Sequence, residues 1–179
     1  DPRYRRGVKR SGNPWRATVP LKANDAHANG LLLEGLMGGA DAVETHGEVN
    51  ALPYALKDVM LAAIDLQVEQ GTPTTLRWLI REAEKQGLPP AELSLCADLP
   101  EGTDPSEFKE LIAQYPLVRL FSVNDRRAGG EGITSAASAL QGGKAQLEVL
   151  LTKGFTIDDA TARIQFRLHL GDDLFVEAA

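Results

Sequence analysis

The chain has little cysteine, few aromatic side chains and no long apolar run. It contains 179 residues, one cysteine and 6% aromatic residues. A single cysteine excludes an internal disulfide framework and favours a reducing compartment, so we expect a cytoplasmic protein. No apolar run approaches the ~18 residues of a membrane span, and the chain does not begin with a signal-peptide core, so we expect no membrane partner.

Charge is distributed unevenly along the chain. Residues 1–22 carry seven basic side chains and one acidic side chain, whereas the remainder carries 12 basic and 24 acidic ones, which together give the net charge of −6. We interpret residues 1–16 as a basic N-terminal arm that lies on an acidic surface of this chain or of a partner. Nucleic acid is the alternative partner. The body is acidic, however, and the arm has only Tyr4 and Trp15 as aromatics, so we expect no nucleic-acid binding.

Strand-length apolar runs alternate with helical patterns along residues 17–179. The predicted strands are 17–21, 41–45, 59–66, 93–99, 117–123 and 165–170. Each is followed by a helix start such as Thr72-Pro73 or Asp104-Pro105. Six β/α units in one direction predict an α/β fold. Two architectures fit: an open doubly wound sheet, or a partial TIM (β/α) barrel with about six of its eight units.

The chemically richest segment is residues 116–145, which read as a strand, a charged glycine-rich loop and a helix. In parallel α/β folds, ligands bind at the carboxyl ends of strands. Arg126 and Arg127 in this loop could hold a phosphate or a carboxylate. They could equally pair with Asp125 and Glu131 at a subunit interface, and the sequence leaves both interpretations open.

Other candidates lie at the ends of neighbouring strands. Glu44 and His46 point to the same side of their strand and could form an acid/base pair, or simply be solvated. Asp98 follows the strand that contains Cys96, which we interpret as a buried and inert thiol. The histidines lack zinc-ligand spacing, so we expect no metal site. A stand-alone barrel enzyme or binding domain for an anionic small molecule would use Glu44, His46, Asp98, Asp125, Arg126 and Arg127.

Residues Asp25 to Gly30 match the pattern D-x-H-x-x-G. In cobalamin-binding domains this pattern supplies a histidine as the axial ligand of the metal, and the aspartate orients the imidazole. The plainer interpretation is a helix N-terminus, with Asp25 as the cap and His27 exposed on the first turn. We favour the helix N-terminus, because three fixed positions recur often by chance.

Two segments resemble one family. Val118 to Asn124, with Gly130-Glu131-Gly132-Ile133 and the Ala-rich helix that follows, resembles the fifth β/α unit of the methylmalonyl-CoA mutase barrel. Ile164 to Ala178, which reads IQFRLHLGDDLFVEA, is similar to the family segment in which strand six runs into its helix. The resemblance spans Trp15 to Ala179 and is strongest for the small, non-catalytic subunit.

The resemblance implies a TIM barrel truncated after six strands over residues 17–179. It places the Tyr-His pair of the catalytic subunit at Arg126 and Arg127, neither of which matches, so no catalytic role carries over. It also implies a catalytic large subunit as the partner in a heterodimer, clasped by the basic arm. That partner would bring the adenosylcobalamin that interconverts methylmalonyl-CoA and succinyl-CoA, and this chain itself would bind no cofactor.

Six strands leave two open parallel edges, which are adhesive. We therefore expect either that the natural chain continues beyond Ala179 or that this chain self-associates.

Overall fold

Short parallel strands alternate with helices in the computed structural model, which describes residues 16–46, 49–100, 102–124 and 133–167. The strands are β1 (Thr18–Lys22), β2 (Ala42–His46), β3 (Asp65–Val68), β4 (Ser94–Cys96), β5 (Val118–Arg119), β6 (Phe121–Asn124) and β7 (Ile164–Arg167). The α-helices are α1 (Ala28–Met37), α2 (Leu52–Ala55), α3 (Pro73–Lys85), α4 (Lys109–Ala113), α5 (Ile133–Thr152) and α6 (Ile157–Ala162).

The strands pair in the order in which they occur along the chain. β1 to β5 form a five-stranded parallel sheet in the order β1-β2-β3-β4-β5, and β6 pairs in parallel with β7. The α/β fold predicted from the sequence is therefore confirmed. Within the described residues, the strand order contains none of the reversal that defines a doubly wound sheet.

The two sheets are joined through Leu120, the one residue between β5 and β6. Its amide donates to the carbonyl oxygen of Arg163 at 2.9 Å, and its carbonyl oxygen accepts from the amide of Leu99 at 2.7 Å. The single segment from β5 to β6 therefore forms hydrogen bonds on the β4 side and on the β7 side. The strand predicted at 117–123 is present as two parts, β5 and β6, which are separated at this residue.

The side chain of Arg163 stabilises this junction. Its side chain is buried, and its guanidinium donates to the carbonyl oxygens of Tyr115 at 2.8 Å, Val118 at 2.6 Å and Ile112 at 3.3 Å. Desolvation by burial lowers the pKa of Arg163. The carbonyls it binds lie at the end of α4 and at the start of β5, so one side chain ties α4, β5 and β7 together.

The apolar core lies on one face of the sheets. Alternate strand residues, among them Val43, Leu66, Leu95 and Val118, are fully buried there with residues of the helices such as Leu32, Leu76, Leu79 and Ile112. The predicted helix after Thr72-Pro73 is α3, whose start carries a capping box between Thr72 and Thr75. Helix α1 is buried on one side only: Leu32 is fully buried, whereas Met37 is 84% exposed.

The predicted strand at 59–66 differs from the structure. Its first part contains a 3₁₀ turn at Leu61–Ala63, and β3 begins only at Asp65. The backbone there is bound by one side chain at the end of α3: Gln86 donates to the carbonyl oxygen of Val59 at 3.0 Å and accepts from the amide of Leu61 at 2.9 Å. An apolar run indicates burial but does not distinguish a strand from a buried turn.

Two predicted segments lie partly or wholly outside the described residues. The last predicted strand, 165–170, corresponds to β7, of which the structure describes the part up to Arg167. The basic arm is described only at Arg16, whose side chain lies 3.9 Å from that of Asp65.

We expect the substitution Arg163→Met to lower the free energy of unfolding by about 3 kcal/mol, because it leaves several buried carbonyl oxygens without their donor. Urea denaturation measures the change. Arg81→Met, at an exposed position on α3, is the matched control and should change stability by less than about 0.5 kcal/mol. Equal effects of the two variants would contradict the role given to Arg163.

We expect Gly71→Ala to destabilise the fold by about 2 kcal/mol, because a Cβ at this position would overlap the carbonyl oxygen of Ala97. Gly30→Ala is the control, since a Cβ there meets nothing within 4 Å and lies within α1. Alanine is more favourable than glycine within a helix by about 0.5–1 kcal/mol, so this variant should be more stable than the wild-type protein. Thermal unfolding of both variants tests the opposite signs.

Candidate functional site

The face of the strands opposite the core is polar. Residues that alternate with the buried core positions carry charged or amide side chains: Glu44 on β2, Asp65 and Gln67 on β3, Arg119 on β5, and Gln165 and Arg167 on β7. Side chains of β7 contact those of β2 and β3, although these strands are not neighbours. The sheets therefore curve around this polar face, which we call the interior cluster.

The amino-terminal end of the interior cluster is centred on Asp65. Its Oδ1 accepts from Arg119 Nη2 at 2.8 Å and from Ser94 Oγ at 2.7 Å, while Arg119 Nη2 also reaches Ser94 Oγ at 3.2 Å. Arg16, two residues before β1, approaches the other carboxylate oxygen. One carboxylate thereby joins β3, β4, β5 and the segment that leads into β1.

The middle of the interior cluster is a pair of amides. Gln165 Nε2 donates to Gln67 Oε1 at 2.6 Å across the interior. The other atoms of the two amides, Gln67 Nε2 and Gln165 Oε1, are buried and have no hydrogen-bond partner among the described residues. A small cavity of about 200 Å³ opens beside this pair, between Arg16, Glu44 and Arg167.

The carboxyl-terminal end of the interior cluster is an ion triad. The guanidinium of Arg167 lies between two carboxylates, with Nη1 at 2.5 Å from Glu69 Oε1 and Nη2 paired with Glu44. The Arg167 side chain is only 16% exposed, and its burial lowers its pKa. The triad lies near the carboxyl ends of β2 and β3.

Among the described residues, the interior cluster has equal numbers of acidic and basic side chains. Three carboxylates, Glu44, Asp65 and Glu69, face three guanidinium groups, those of Arg16, Arg119 and Arg167. Acid/base catalysis and anion binding both require a group that can exchange its present partner for a substrate. Each of these six charges already contacts one of opposite sign, so the arrangement acts as a structural network.

The structure places two of the predicted candidates with defined contacts. Glu44 belongs to the ion triad. Asp98 is buried at the carboxyl end of β4, in a left-handed backbone conformation with φ of 38°, and its Oδ1 accepts from the amide of Ser122 at 3.0 Å. His46 ends β2 opposite Lys22 of β1, but its side chain lies outside the described part of the structure. Asp125, Arg126 and Arg127 also lie outside the described residues.

Sequence reasoning did not single out most of the interior cluster. The available signal was period-two alternation: Asp65-Leu66-Gln67-Val68-Glu69 and Ile164-Gln165-Phe166-Arg167 both alternate polar and apolar residues. A strand with a polar residue at every second position has one polar face. Applied to β3 and β7 together, this pattern would have indicated that the two polar faces belong to one interior.

Cys96 fits its interpretation as an inert thiol. It is buried, and desolvation raises its pKa to about 12. The thiolate, which is the nucleophile, is therefore negligible near neutral pH.

The D-x-H-x-x-G segment forms a helix N-terminus. The predicted cap was wrong, because His27 and not Asp25 is the N-cap of α1; Asp25 Oδ1 accepts from the amide of His27 at 2.8 Å, and His27 is exposed. Among the described residues, no group of three histidine, cysteine or acidic side chains could hold a metal ion. None of the described helices has the length and apolar character needed to cross a membrane.

Comparisons with known proteins add no identification. No protein-family model matches the chain, and no curated protein is significantly similar to it.

We expect Arg167→Met to destabilise the protein by about 3 kcal/mol, because Glu44 and Glu69 would lose the cation between them. The triple variant Arg167→Met, Glu44→Gln and Glu69→Gln should recover most of that loss, since it removes both carboxylates together with the cation between them. Lys144→Met breaks an exposed pair with Glu148 and is the control, with a cost below about 1 kcal/mol. A triple variant as unstable as Arg167→Met would show that charge matching is not the cause.

Proposed function

We propose that this chain is the barrel part of the non-catalytic small subunit of an adenosylcobalamin-dependent methylmalonyl-CoA mutase. In this role it stabilises a catalytic large subunit and performs no chemistry itself. The observation that carries the proposal is the ion triad: Glu44 and Glu69 both pair with Arg167 near the carboxyl ends of β2 and β3. In a barrel enzyme, this is where substrate-binding groups would be available.

The finer architecture belongs to the same proposal. We infer that β1 to β7 form part of a (β/α) barrel rather than an open doubly wound sheet. Sequential parallel pairing supports this inference, as do the contacts of Gln165 and Arg167 with β2 and β3, which a flat sheet would not allow. Because Leu120 alone separates β5 from β6, both correspond to the one strand predicted at 117–123, and the seven observed strands correspond to the six predicted ones.

The resemblance of residues 118–133 and 164–178 to the mutase family supplies the identity of the partner. Within that resemblance, Arg126 and Arg127 stand where the catalytic subunit has its Tyr-His pair. An arginine keeps its charge near neutral pH and cannot act as a neutral imidazole. The cofactor and the acyl-CoA chemistry are therefore assigned to the large subunit.

Affinity purification of the tagged chain from its native source tests the proposal. We expect a larger, corrin-containing protein to co-purify, identified by mass spectrometry and by its visible absorption. A variant that begins at residue 17 is the matched control and should retain less of this partner, because it lacks the basic arm. Isomerisation of methylmalonyl-CoA by the purified chain alone would overturn the proposal.

The alternative is a stand-alone barrel enzyme or binding domain for an anionic small molecule. The left-handed conformation of Asp98 favours it, because strained residues at strand ends often serve a site. Separate Asp98→Ala and Arg127→Ala variants test it. Unchanged binding of small carboxylates and phosphates by both variants would remove this alternative.

A further inference from the structure

A larger cavity, of about 430 Å³, lies at the end of the five-stranded sheet where β3 and β4 begin. It opens between residues 58–62, which precede β3, and residues 86–92, which run from the end of α3 towards β4. Strands β3 and β4 each have a neighbour on both sides. Further strands could join the sheets only beyond β1 or β7, so a longer chain would leave these two segments next to one another.

Most of the side chains that line this cavity are apolar. They are those of Val59, Met60, Ala62, Leu88 and Pro89. Val59 and Leu88 are buried, whereas Met60 is 70% exposed at the opening. A cavity of this size with apolar walls is typical of a site for a small molecule, and the walls predict a ligand with an apolar body.

Hydrogen bonds between its two sides fix the shape of the cavity. Gln86 belongs to one side, and its amide binds the backbone of the other side, at the carbonyl oxygen of Val59 and the amide of Leu61. Asp58 and Gly87 both have a left-handed backbone, with φ of 61° and 69°, and each turns the chain at the edge of the cavity. The two sides therefore keep their positions without a ligand, as the walls of small-molecule sites usually do.

The charges at this cavity are negative. Asp58 and Glu92 line it from opposite sides, and neither carboxylate forms an ion pair with another described residue. Lys85, in the last turn of α3, is held by Glu82 at 3.0 Å. The carboxyl end of α3 adds a partial negative charge of its own, because the dipole of a helix points this way. A ligand with more than one positive charge matches this arrangement.

We propose that this cavity binds a linear aliphatic diamine. One ammonium group pairs with Asp58 and the other with Glu92, while the methylene chain between them lies against Val59, Met60 and Leu88. The methylene groups leave water for apolar side chains, and both carboxylates gain a partner. A monoamine would leave one carboxylate without a partner, and a metal ion would make no use of the apolar walls.

Isothermal titration calorimetry of the full chain with the diamines from diaminopropane to diaminooctane is the first test, and the n-alkylamine of equal length is the control for each. We expect one chain length to bind best, about 5-fold more tightly than its monoamine, which is the effect of one partly exposed ion pair. A series in which no diamine binds more tightly than its monoamine would overturn the proposal. The proposal does not depend on the mutase assignment, since no residue of the interior cluster takes part.

Asp58→Asn and Glu92→Gln each remove one of the two carboxylates. In either variant the diamine should lose its advantage of about 5-fold over the monoamine, because one ion pair remains. Asparagine tolerates the left-handed backbone of residue 58, so this variant keeps the shape of the cavity. Glu148→Gln, at an exposed position on α5, is the matched control and should leave the selectivity unchanged. Unchanged selectivity in both Asp58→Asn and Glu92→Gln would refute the proposed site.

A second measurement tests the position of the ligand and its competitor. Met60→Lys places a cation at the opening of the cavity and should weaken diamine binding by about 10-fold or more, through repulsion of like charges. Met37→Lys adds the same charge at an exposed site on α1 and should bind the diamine as the wild-type chain does. A synthetic peptide of residues 1–15 should not displace the diamine. Displacement by this peptide would assign the cavity to the basic arm and overturn the proposal.

Discussion

The guanidinium of Arg163 joins the two sheets, and the position of β7 depends on it. The Arg163 side chain donates to the carbonyls of Tyr115 and Val118. The main-chain carbonyl of Arg163 accepts from the amides of Leu120 and Phe121. These bonds fix where β7 begins relative to β5. That position in turn decides whether Gln165 meets Gln67 and whether Arg167 reaches Glu44 and Glu69. The interior cluster is thus a consequence of one buried cation that is not itself part of it.

The two faces of the sheets have different chemistry. The face under the helices is apolar and fully buried, whereas the opposite face holds a balanced set of carboxylates, guanidinium groups and amides. Buried ion pairs contribute little net stability, because desolvation offsets most of their attraction. Their geometry is nevertheless demanding, since a slip of one residue in β7 would exchange Arg167 for an apolar neighbour. The interior cluster therefore specifies alignment more than it adds free energy.

Local signals in the sequence predicted the local structure well. Helix α3 could be identified from a cap and from a 3.6-residue apolar period, because both signals lie within the helix segment itself. The cap is Thr72-Pro73, and the apolar residues are Leu76, Leu79, Ile80 and Ala83. The run at 59–66 was misjudged because Gln86, some 25 residues away, binds its backbone. The ion triad could not be predicted from any one segment, since Arg167 and Glu69 are 98 residues apart. Of the candidate site residues, Glu44 was identified without the partners that give it its role.

The sequential strand order has a consequence for biosynthesis. Each of β2 to β5 pairs with the strand made just before it, so each can add to an existing edge as the chain leaves the ribosome. The contacts of Gln165 with Gln67 and of Arg167 with Glu69 must wait until the last described strand has emerged. Until then the carboxylates and amides of β2 and β3 stay hydrated. Water can therefore leave this part of the interior only after β7 has emerged, because that strand supplies the groups that replace it.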